Sequence, residues 1–459
     1  MDVAALVEEE IGRARAAFAT GRTRSIRWRN HQLEGLIAML RTEEPKLIEA
    51  MAADLRKPPF EGWATDIGAL ISEFKHIRKH LERHIRPRRV SVPLFMKPGT
   101  AEIRLEPLGV VAVLAPWNYP LNLALSPLAA AVAAGNAVVL KPSELSEATS
   151  AALAEILPRY VDDEAVRVLT GGPEVATELL RHPLDHIFFT GGPGVARKVM
   201  AAAAVHLTPV TLELGGKSPT IVDQSADLAV TARRIAQGKL INAGQTCIAP
   251  DYVLVPRPLR DELVDQLDRA FKVMTKSDAR TSTSYGRIIS ERHHDRVVGL
   301  IPIDKVASGG NHDHFDRFIE PTVVVDPEHD SPLMTEEIFG PVLAVVSVDD
   351  IDDAIAFVNA RPKPLVLYVF SEDDDVTERI LARTSSGGVG VNQTMYHAGV
   401  PGLPFGGVGE SGHGRYRGLT GVDRLSNPKS ILDRPMKPDL RLAYPPYGRI
   451  SSRIMRKLI

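Results

Sequence analysis

VVAVLAPWNYPLNLALSPLAAAVAAGNAVVLKPSE, residues 110–144, decides the fold class. Val110–Pro116 is an unbroken apolar run closed by proline, the composition of a strand covered on both faces rather than half-solvated. The stretch Leu121–Leu140 carries no charge and resembles a membrane span in length. Pro127 and the pair Gly135-Asn136 interrupt it, however, and alanine makes up much of it. It therefore reads as a buried helix over Leu125–Ala134, a turn, and a buried strand over Ala137–Leu140. Strand, helix and strand in this order form the repeating unit of a parallel sheet.

The same alternation continues downstream through VRVL (166–169) and HIFF (186–189), each trailed by helical periodicity. It predicts an α/β chain with a Rossmann-like doubly wound sheet that takes its ligand at the carboxyl ends of the strands. TPVTLELGG (208–216) is expected to open a second α/β region, with strands at PTIV (219–222), DYVLV (251–255), PTVVV (321–325) and LAVVSV (343–348). Upstream lies a helical region reaching about residue 86, in which Ile67, Ile71, Phe74, Ile77 and Leu81 form one apolar stripe. Pro87 and the run Arg86–Arg89 end it. Residues 90–105 predict a strand or hairpin outside the main sheet.

With 459 residues the chain is long enough for two or three domains, and 44% hydrophobic with 24% charged residues is globular composition. A net charge of -2 gives no general attraction to nucleic acid. The basic run Lys75–Arg89 has no interleaved aromatic residues to stack bases. The acidic N-terminus lacks the basic and apolar regions of a signal peptide, so the cytoplasm is the expected location. One cysteine, Cys247, excludes an intramolecular disulfide and fits a reducing compartment.

Two near-copies, LTGGPEVA (169–176) and FTGGPGVA (189–196), follow predicted strands and open helices, with Pro173 and Pro193 suited to the first turn. Either helix start can receive a phosphate on free backbone N–H groups. Glu174 would repel one at the earlier copy, whereas the later copy has Gly194 and then Arg197; the cofactor is assigned to the later copy. Cys247 sits in INAGQTCIAPDYVLV (241–255), between a predicted helix (Leu228–Asn242) and a strand, in a loop marked by Gly244, Gln245, Thr246 and Pro250. A thiolate is the reactive form of such a residue, and a lone cysteine is otherwise an inert buried thiol. Glu213, 34 residues earlier at a strand end, is a suitable base for the thiol or for water.

LAPWNYP (114–120), KPSE (141–144), ELGGKSP (213–219), GQTCIAPDY (244–252), EEIFGPVL (336–343) and LPFGGVGESG (403–412) stand in the order found in aldehyde dehydrogenases. The chain resembles that family over roughly residues 5–432. DLRKPPFEGWATDIG (54–68), RPRRV with Pro93, and VNQTMYH (391–397) resemble its class 3 branch, which includes fatty-aldehyde and coniferyl-aldehyde dehydrogenases. The resemblance implies that Cys247 attacks an aldehyde carbon, that Asn118 and the Cys247 N–H hold the oxyanion, and that Glu213 activates water to release the acid. It implies NAD, with NADP possible, held by Trp117, Lys141, Ser143, Glu144, Thr190, Gly191, Gly192, Val195, Glu337 and Phe339. Glu144 beside the ribose 2′-OH should favour NAD by repelling a 2′-phosphate, although the branch often accepts both. Tyr119, Tyr396 and His397 are expected in a pocket for medium- or long-chain aliphatic or aromatic aldehydes.

The implied organisation is a cofactor domain over 1–86 and 106–212, a catalytic domain over 213–392, and a bridging and oligomerisation element over 87–105 and 393–432. A basic tail over 433–459 carries seven Lys/Arg against two Asp. It either caps the active-site mouth or meets a membrane surface, while being too short and charged to span one. A homodimer, with strand pairing from residues 90–105, is also implied. Gly192 and Ala196 depart from the family's pyrophosphate turn, a loss that Arg197 is placed to offset.

Two other functions fit parts of the sequence. A coenzyme-A-acylating relative would pass the thioester to a thiol, but such relatives generally lack the carboxylate found here as Glu213. A catalytically silent binding protein would not need Cys247, Glu213 and Asn118 together. No metal site is expected. His76, His80 and His84 share a helix face, but with Lys75, Arg78, Lys79 and Arg83. HDHFD (312–316) and His293-His294 read as exposed segments.

Overall fold

The computed structural model describes residues 2–439, 444–446 and 448–458. Helices fill the chain up to His84, and Ile67, Phe74, Ile77 and Leu81 of the predicted stripe are fully buried. Strands β1 (Arg88–Val90) and β2 (Thr100–Pro107) form an antiparallel hairpin outside the two main sheets.

The first main sheet contains β3 (Val110–Leu114), β4 (Ala137–Lys141), β5 (Val166–Val168), β6 (His186–Gly191) and β7 (Val210–Leu214), all parallel. Their spatial order is β7-β6-β3-β4-β5. The chain winds outward from β3 in one direction through β4 and β5, then returns to continue on the other side through β6 and β7. The gap between β3 and β6 is therefore the switch point at which a doubly wound sheet opens a crevice. Every residue of β3 and β4 is buried, as their unbroken apolar runs require. Between them the helix Asn122–Ala134 is buried throughout and ends at Gly135.

One expectation is corrected here. Val210–Leu214 does not open the second region; it pairs parallel with β6 and completes the first sheet, so the boundary expected after residue 212 falls inside a strand. The second sheet begins with β8 (Pro219–Val222) and β9 (Tyr252–Pro256). It continues with β10 (Val306–Ser308) and, after the small hairpin β11 (His312–Asp313) and β12 (Phe318–Ile319), with β13 (Thr322–Val325) and β14 (Val342–Val348). Two further strands, β15 (Val366–Phe370) and β16 (Gly388–Val391), were not expected and give the order β10-β13-β14-β9-β8-β15-β16.

The chain then returns. β17 (Gly412–His413) pairs antiparallel with β7, and β18 (Ser426–Asp433) runs antiparallel along β2. The element expected over 87–105 and 393–432 is thus shared: β18 joins the outer hairpin, while β17 belongs to the first sheet. A terminal helix, Arg449–Leu458, lies against the turn Leu94–Met96. Within the expected basic tail, residues 440–443, 447 and 459 fall outside the described residues. No helix of the described residues is long and apolar enough to cross a membrane.

Candidate active site

A cavity of about 250 Å³ opens at the switch point. It is lined from β3 by Pro116, Trp117 and Asn118, from β6 by Thr190, Gly191 and Gly192, and from β7 by Glu213, Leu214 and Gly215. Cys247 enters from the loop before β9, and Glu337 and Phe339 from the segment before β14. Residues that stand 34, 129 and 90 positions from Cys247, 247 − 213, 247 − 118 and 337 − 247, are thereby brought to one chamber.

The cysteine loop is held by main-chain geometry that ordinary sequences avoid. Asn242, Ala243 and Gly244 all adopt left-handed conformations, with φ of 53°, 51° and 72°. A side chain on Gly244 would also meet the Gly340 carbonyl, its Cβ falling 2.2 Å from that oxygen. Gln245 locks the turn: its amide donates to the carbonyls of Asn242 and Arg287, both at 2.9 Å, and accepts the Ile289 N–H at 2.9 Å.

Asn118 is anchored on both sides of its Cα. Its Nδ2 donates to the Gln245 carbonyl at 3.0 Å, leaving the second amide hydrogen available to the cavity. Its own carbonyl accepts from Asn242 Nδ2 at 2.8 Å and from Lys57 Nζ at 3.2 Å. Lys57 in turn pairs with Asp66 at 2.9 Å, both side chains wholly buried, and lies 4.2 Å from the centre of the Tyr119 ring. A buried ion pair therefore supports the floor of the chamber. The signal was present in DLRKPPFEGWATDIG, which carries both charges nine residues apart, but only the fold shows what they hold.

Burial shifts the acidic groups of the chamber toward their neutral forms. Burial, then the carboxyls of Glu337 and Glu213, pushes the Cys247 thiol up to about 12. Burial likewise holds the Glu213 carboxyl well above its usual range, opposed by Arg417, Arg415 and Arg424. Neither Glu213 oxygen has a hydrogen-bond partner, so a wholly buried carboxyl faces the chamber unengaged. Its register partner on β6 is Thr190, whose hydroxyl is also unpaired. Glu337 is pushed up to about 8 by burial and by Asp251. Its carboxylate lies where the Cβ of any residue but glycine at 215 would stand, 2.1 Å from that point.

The residues present fit a dinucleotide. The helix Pro193–His206 begins at Gly192 without a side-chain cap, and a Cβ at Gly192 or Gly194 would meet nothing within 4 Å. Its first turn is thus open to a phosphate. The earlier copy is closed: Glu174 accepts the Gly172 N–H at 3.0 Å and fills that helix start itself. Lys141, buried at the end of β4, pairs with Glu144 at 2.6 Å. Ser143 is buried beside them, its hydroxyl accepting the Leu145 N–H at 3.2 Å, and Val195 is exposed on the open helix start. Glu337 contributes an unpaired buried oxygen on the opposite wall. Ala196 is buried and Arg197 exposed on that same helix.

Three expected pocket residues stand elsewhere. Tyr119 does not line the chamber; it is buried behind the cysteine loop, its hydroxyl 2.6 Å from that of Thr246. Tyr396 is 64% exposed and accepts from Gln237 at 2.9 Å. His397 stacks on Phe405, with burial holding its pKa down at about 4. Conversely, His293 and Arg296 line the chamber and were not foreseen. His293 meets the edge of Trp117 at 5.2 Å, and Arg296 donates to the carbonyls of Glu337 at 3.2 Å and Ile338 at 2.6 Å. The expectation that 293–294 is an exposed segment is therefore corrected: one face of the helix Glu291–Val298 is turned inward.

Similarity to known proteins agrees with this geometry. The model of the aldehyde dehydrogenase family matches residues 2–431. Aldehyde dehydrogenase family 3 member B1 of Rattus norvegicus is 46% identical over 450 residues, 98% of this chain and 96% of that one. The dimeric NADP-preferring aldehyde dehydrogenase of Canis lupus familiaris is 44% identical over 442 residues, covering 96% and 98%. The substrate-bound AldH of Staphylococcus aureus superimposes with a TM-score of 0.96 at 38% identity over 99% of both chains. The chain belongs to the aldehyde dehydrogenase family and, within it, to the class 3-like branch.

Proposed function

We propose that this chain oxidises medium- or long-chain aliphatic or aromatic aldehydes to carboxylic acids with NAD(P), by covalent catalysis at Cys247. The observation that carries this reading is the shared chamber: the only thiol of the chain, an unengaged buried carboxyl and a fixed amide donor open onto the same space as an uncapped helix start.

The Cys247 thiol gives up its proton to solvent, and Sγ bonds to the aldehyde carbon while the carbonyl electron pair moves onto oxygen. The free Asn118 amide hydrogen and the Cys247 N–H meet that oxyanion, a pre-aimed pair whose individual members are worth about 10²–10³ in rate. NAD(P), when bound, supplies the acceptor for the hydride that leaves the carbon, and a thioester on Cys247 remains. Thr190, Gly191, Gly192 and Val195 stand at the helix start suited to the pyrophosphate. Lys141 and Glu144 would hold the adenosine ribose with Ser143 beside them, and Glu337, Phe339 and Trp117 would hold the nicotinamide end. Glu213 takes a proton from water, the hydroxide adds to the thioester carbon, and Sγ departs as the acid forms.

Pairing with Lys141 offsets part of the charge with which the Glu144 carboxylate would face a 2′-phosphate. This supports use of NADP as well as NAD. The apolar walls, Trp117, Leu123, Leu214 and Phe339, support an apolar substrate. A homodimer through the outer β1-β2-β18 sheet is consistent with its two unpaired edges, and a cytoplasmic location with a free thiol in the chamber.

The test mixes the purified chain with NAD or NADP and aldehydes of graded length, and follows absorbance of the reduced nicotinamide. Acid formation without coenzyme A is expected, abolished by Cys247→Ser. Turnover only with coenzyme A assigns the acylating reaction instead, and silence under all conditions refutes catalysis.

A further inference from the structure

The helix Glu291–Val298 turns His293 and Arg296 toward the chamber, and His294 and Asp295 away from it. On that outer side it meets the β11–β12 hairpin. We propose that His294, Asp295 and His314 form a binding site for one divalent transition-metal ion, which clamps this hairpin to the back of an active-site helix.

Asp295 Oδ1 lies 3.0 Å from His294 Nδ1 and 2.8 Å from His314 Nδ1. The three ligand atoms fall within 4.8 Å of one another. Around a tetrahedral zinc with bonds of about 2.0–2.1 Å, ligand atoms stand roughly 3.3 Å apart, so the two contacts to Asp295 must open by a few tenths of an ångström while the two imidazole nitrogens, within 4.8 Å of one another, settle to the same spacing.

The outer nitrogens settle which atoms face inward. His294 is 1% exposed, and its Nε2 lies 3.2 Å from the Phe318 carbonyl, an acceptor that calls for a proton on that nitrogen. Nδ1 is then a bare lone pair aimed at a carboxylate oxygen. His314 also turns Nδ1 to the same Asp295 oxygen, and its Nε2 lies at ion-pair distance, 3.4 Å, from Glu291 Oε2. A proton on each Nδ1 satisfies the Asp295 oxygen; one divalent ion meets all three atoms together and leaves both outer nitrogens free to donate. A main-chain carbonyl behind one imidazole and a carboxylate behind the other are the outer partners that orient metal-binding histidines.

Charge and access agree with the proposal. Glu291 and Asp295 supply two negative charges, while the guanidinium of Arg317 is turned to the carbonyls of Ile289 and Asp54. Asp295 is exposed and His314 half-buried, leaving a side open for water as the remaining ligand. His312 stands at the rim, its ring 5.6 Å from that of His294. Two imidazoles and one carboxylate favour zinc, cobalt, nickel or copper over magnesium or calcium.

The experiment uses the untagged full chain stripped with a chelator and titrated with Co²⁺, then with Zn²⁺ in competition. One equivalent of Co²⁺ should bind with visible absorption of histidine-ligated metal, and Zn²⁺ should displace it and raise the thermal midpoint. His314→Gln and Asp295→Asn, both at partly open positions, should each weaken uptake about tenfold or more and abolish the thermal shift. His80→Gln, on the other histidine-rich face, should leave both unchanged, and metal-free His314→Gln should keep the wild-type circular dichroism spectrum, showing that it folds. Absence of stoichiometric uptake overturns the proposal. So does uptake that both ligand variants retain, which would assign the metal to Cys247 or to the His76–His84 face.

Discussion

Removing the ammonium beneath Asn118 should damage both stability and rate, and the two losses should be separable. Lys57→Met leaves the Asp66 carboxylate buried with only the Asn122 N–H at 3.0 Å and the Thr65 hydroxyl at 3.1 Å as donors. Stranding one member of a wholly buried pair costs about 3–5 kcal/mol. Adding Asp66→Asn keeps an acceptor for the Asn122 N–H while discarding the charge, so the double variant should recover most of that stability. It should not recover rate, because the Asn118 carbonyl still lacks its 3.2 Å contact to Lys57 Nζ and the amide across the residue is less firmly aimed. Since Asn242 and Gln245 continue to hold Asn118, the fall in kcat should be about 10- to 100-fold, below the 10²–10³ expected for losing an oxyanion donor outright. Urea denaturation followed by circular dichroism, together with kcat and KM for one good aldehyde, makes the measurement. The reasoning is refuted if the single variant unfolds at the wild-type midpoint, if the double variant is no more stable than the single, or if kcat is unchanged in both.

With the Cys247 thiol pushed up to about 12 by burial and neighbouring carboxyls, alkylation of the free protein by iodoacetamide should rise about tenfold per pH unit between pH 7 and 10, without a plateau. A plateau near pH 8 would show the thiol to be ordinary. Glu213→Gln should preserve a burst of reduced nicotinamide and slow steady turnover by about 10²–10⁴-fold. In the wild type, steady turnover should climb with pH as the raised Glu213 carboxyl ionises, and in the variant that climb should vanish. Glu144→Gln should lower KM for NADP more than for NAD; equal changes would remove Glu144 from the ribose. Arg197→Ala should weaken cofactor binding measured by nucleotide fluorescence titration, and unchanged affinity would show that the turn at Gly192 needs no compensation.

The sequence by itself determined those parts of this protein whose physics is local. Strands buried on both faces must be apolar along their whole length, so VVAVL and NAVVL announced a covered parallel sheet. Proline suits a first helical turn, so the two GGP turns were legible as helix starts, and at the earlier one Glu174 accepts the Gly172 N–H. Cys247, Glu213 and Asn118 stood in motifs that resemble those of the aldehyde dehydrogenase family, and the fold brings all three to one chamber. Tertiary structure decided everything that depends on which distant segments become neighbours. β7 joined the first sheet because β6 offered it a parallel edge, a choice invisible in TPVTLELGG itself. β15 is as apolar as β3 but was not singled out, and β16 is half glycine and gave little signal. The inward face of His293 and Arg296, the displacement of Tyr119, Tyr396 and His397 from the chamber, and the buried Lys57–Asp66 pair all follow from three-dimensional packing. Side-chain alternation reports how deeply a residue is buried; it carries no information about what lies on the other side of the contact.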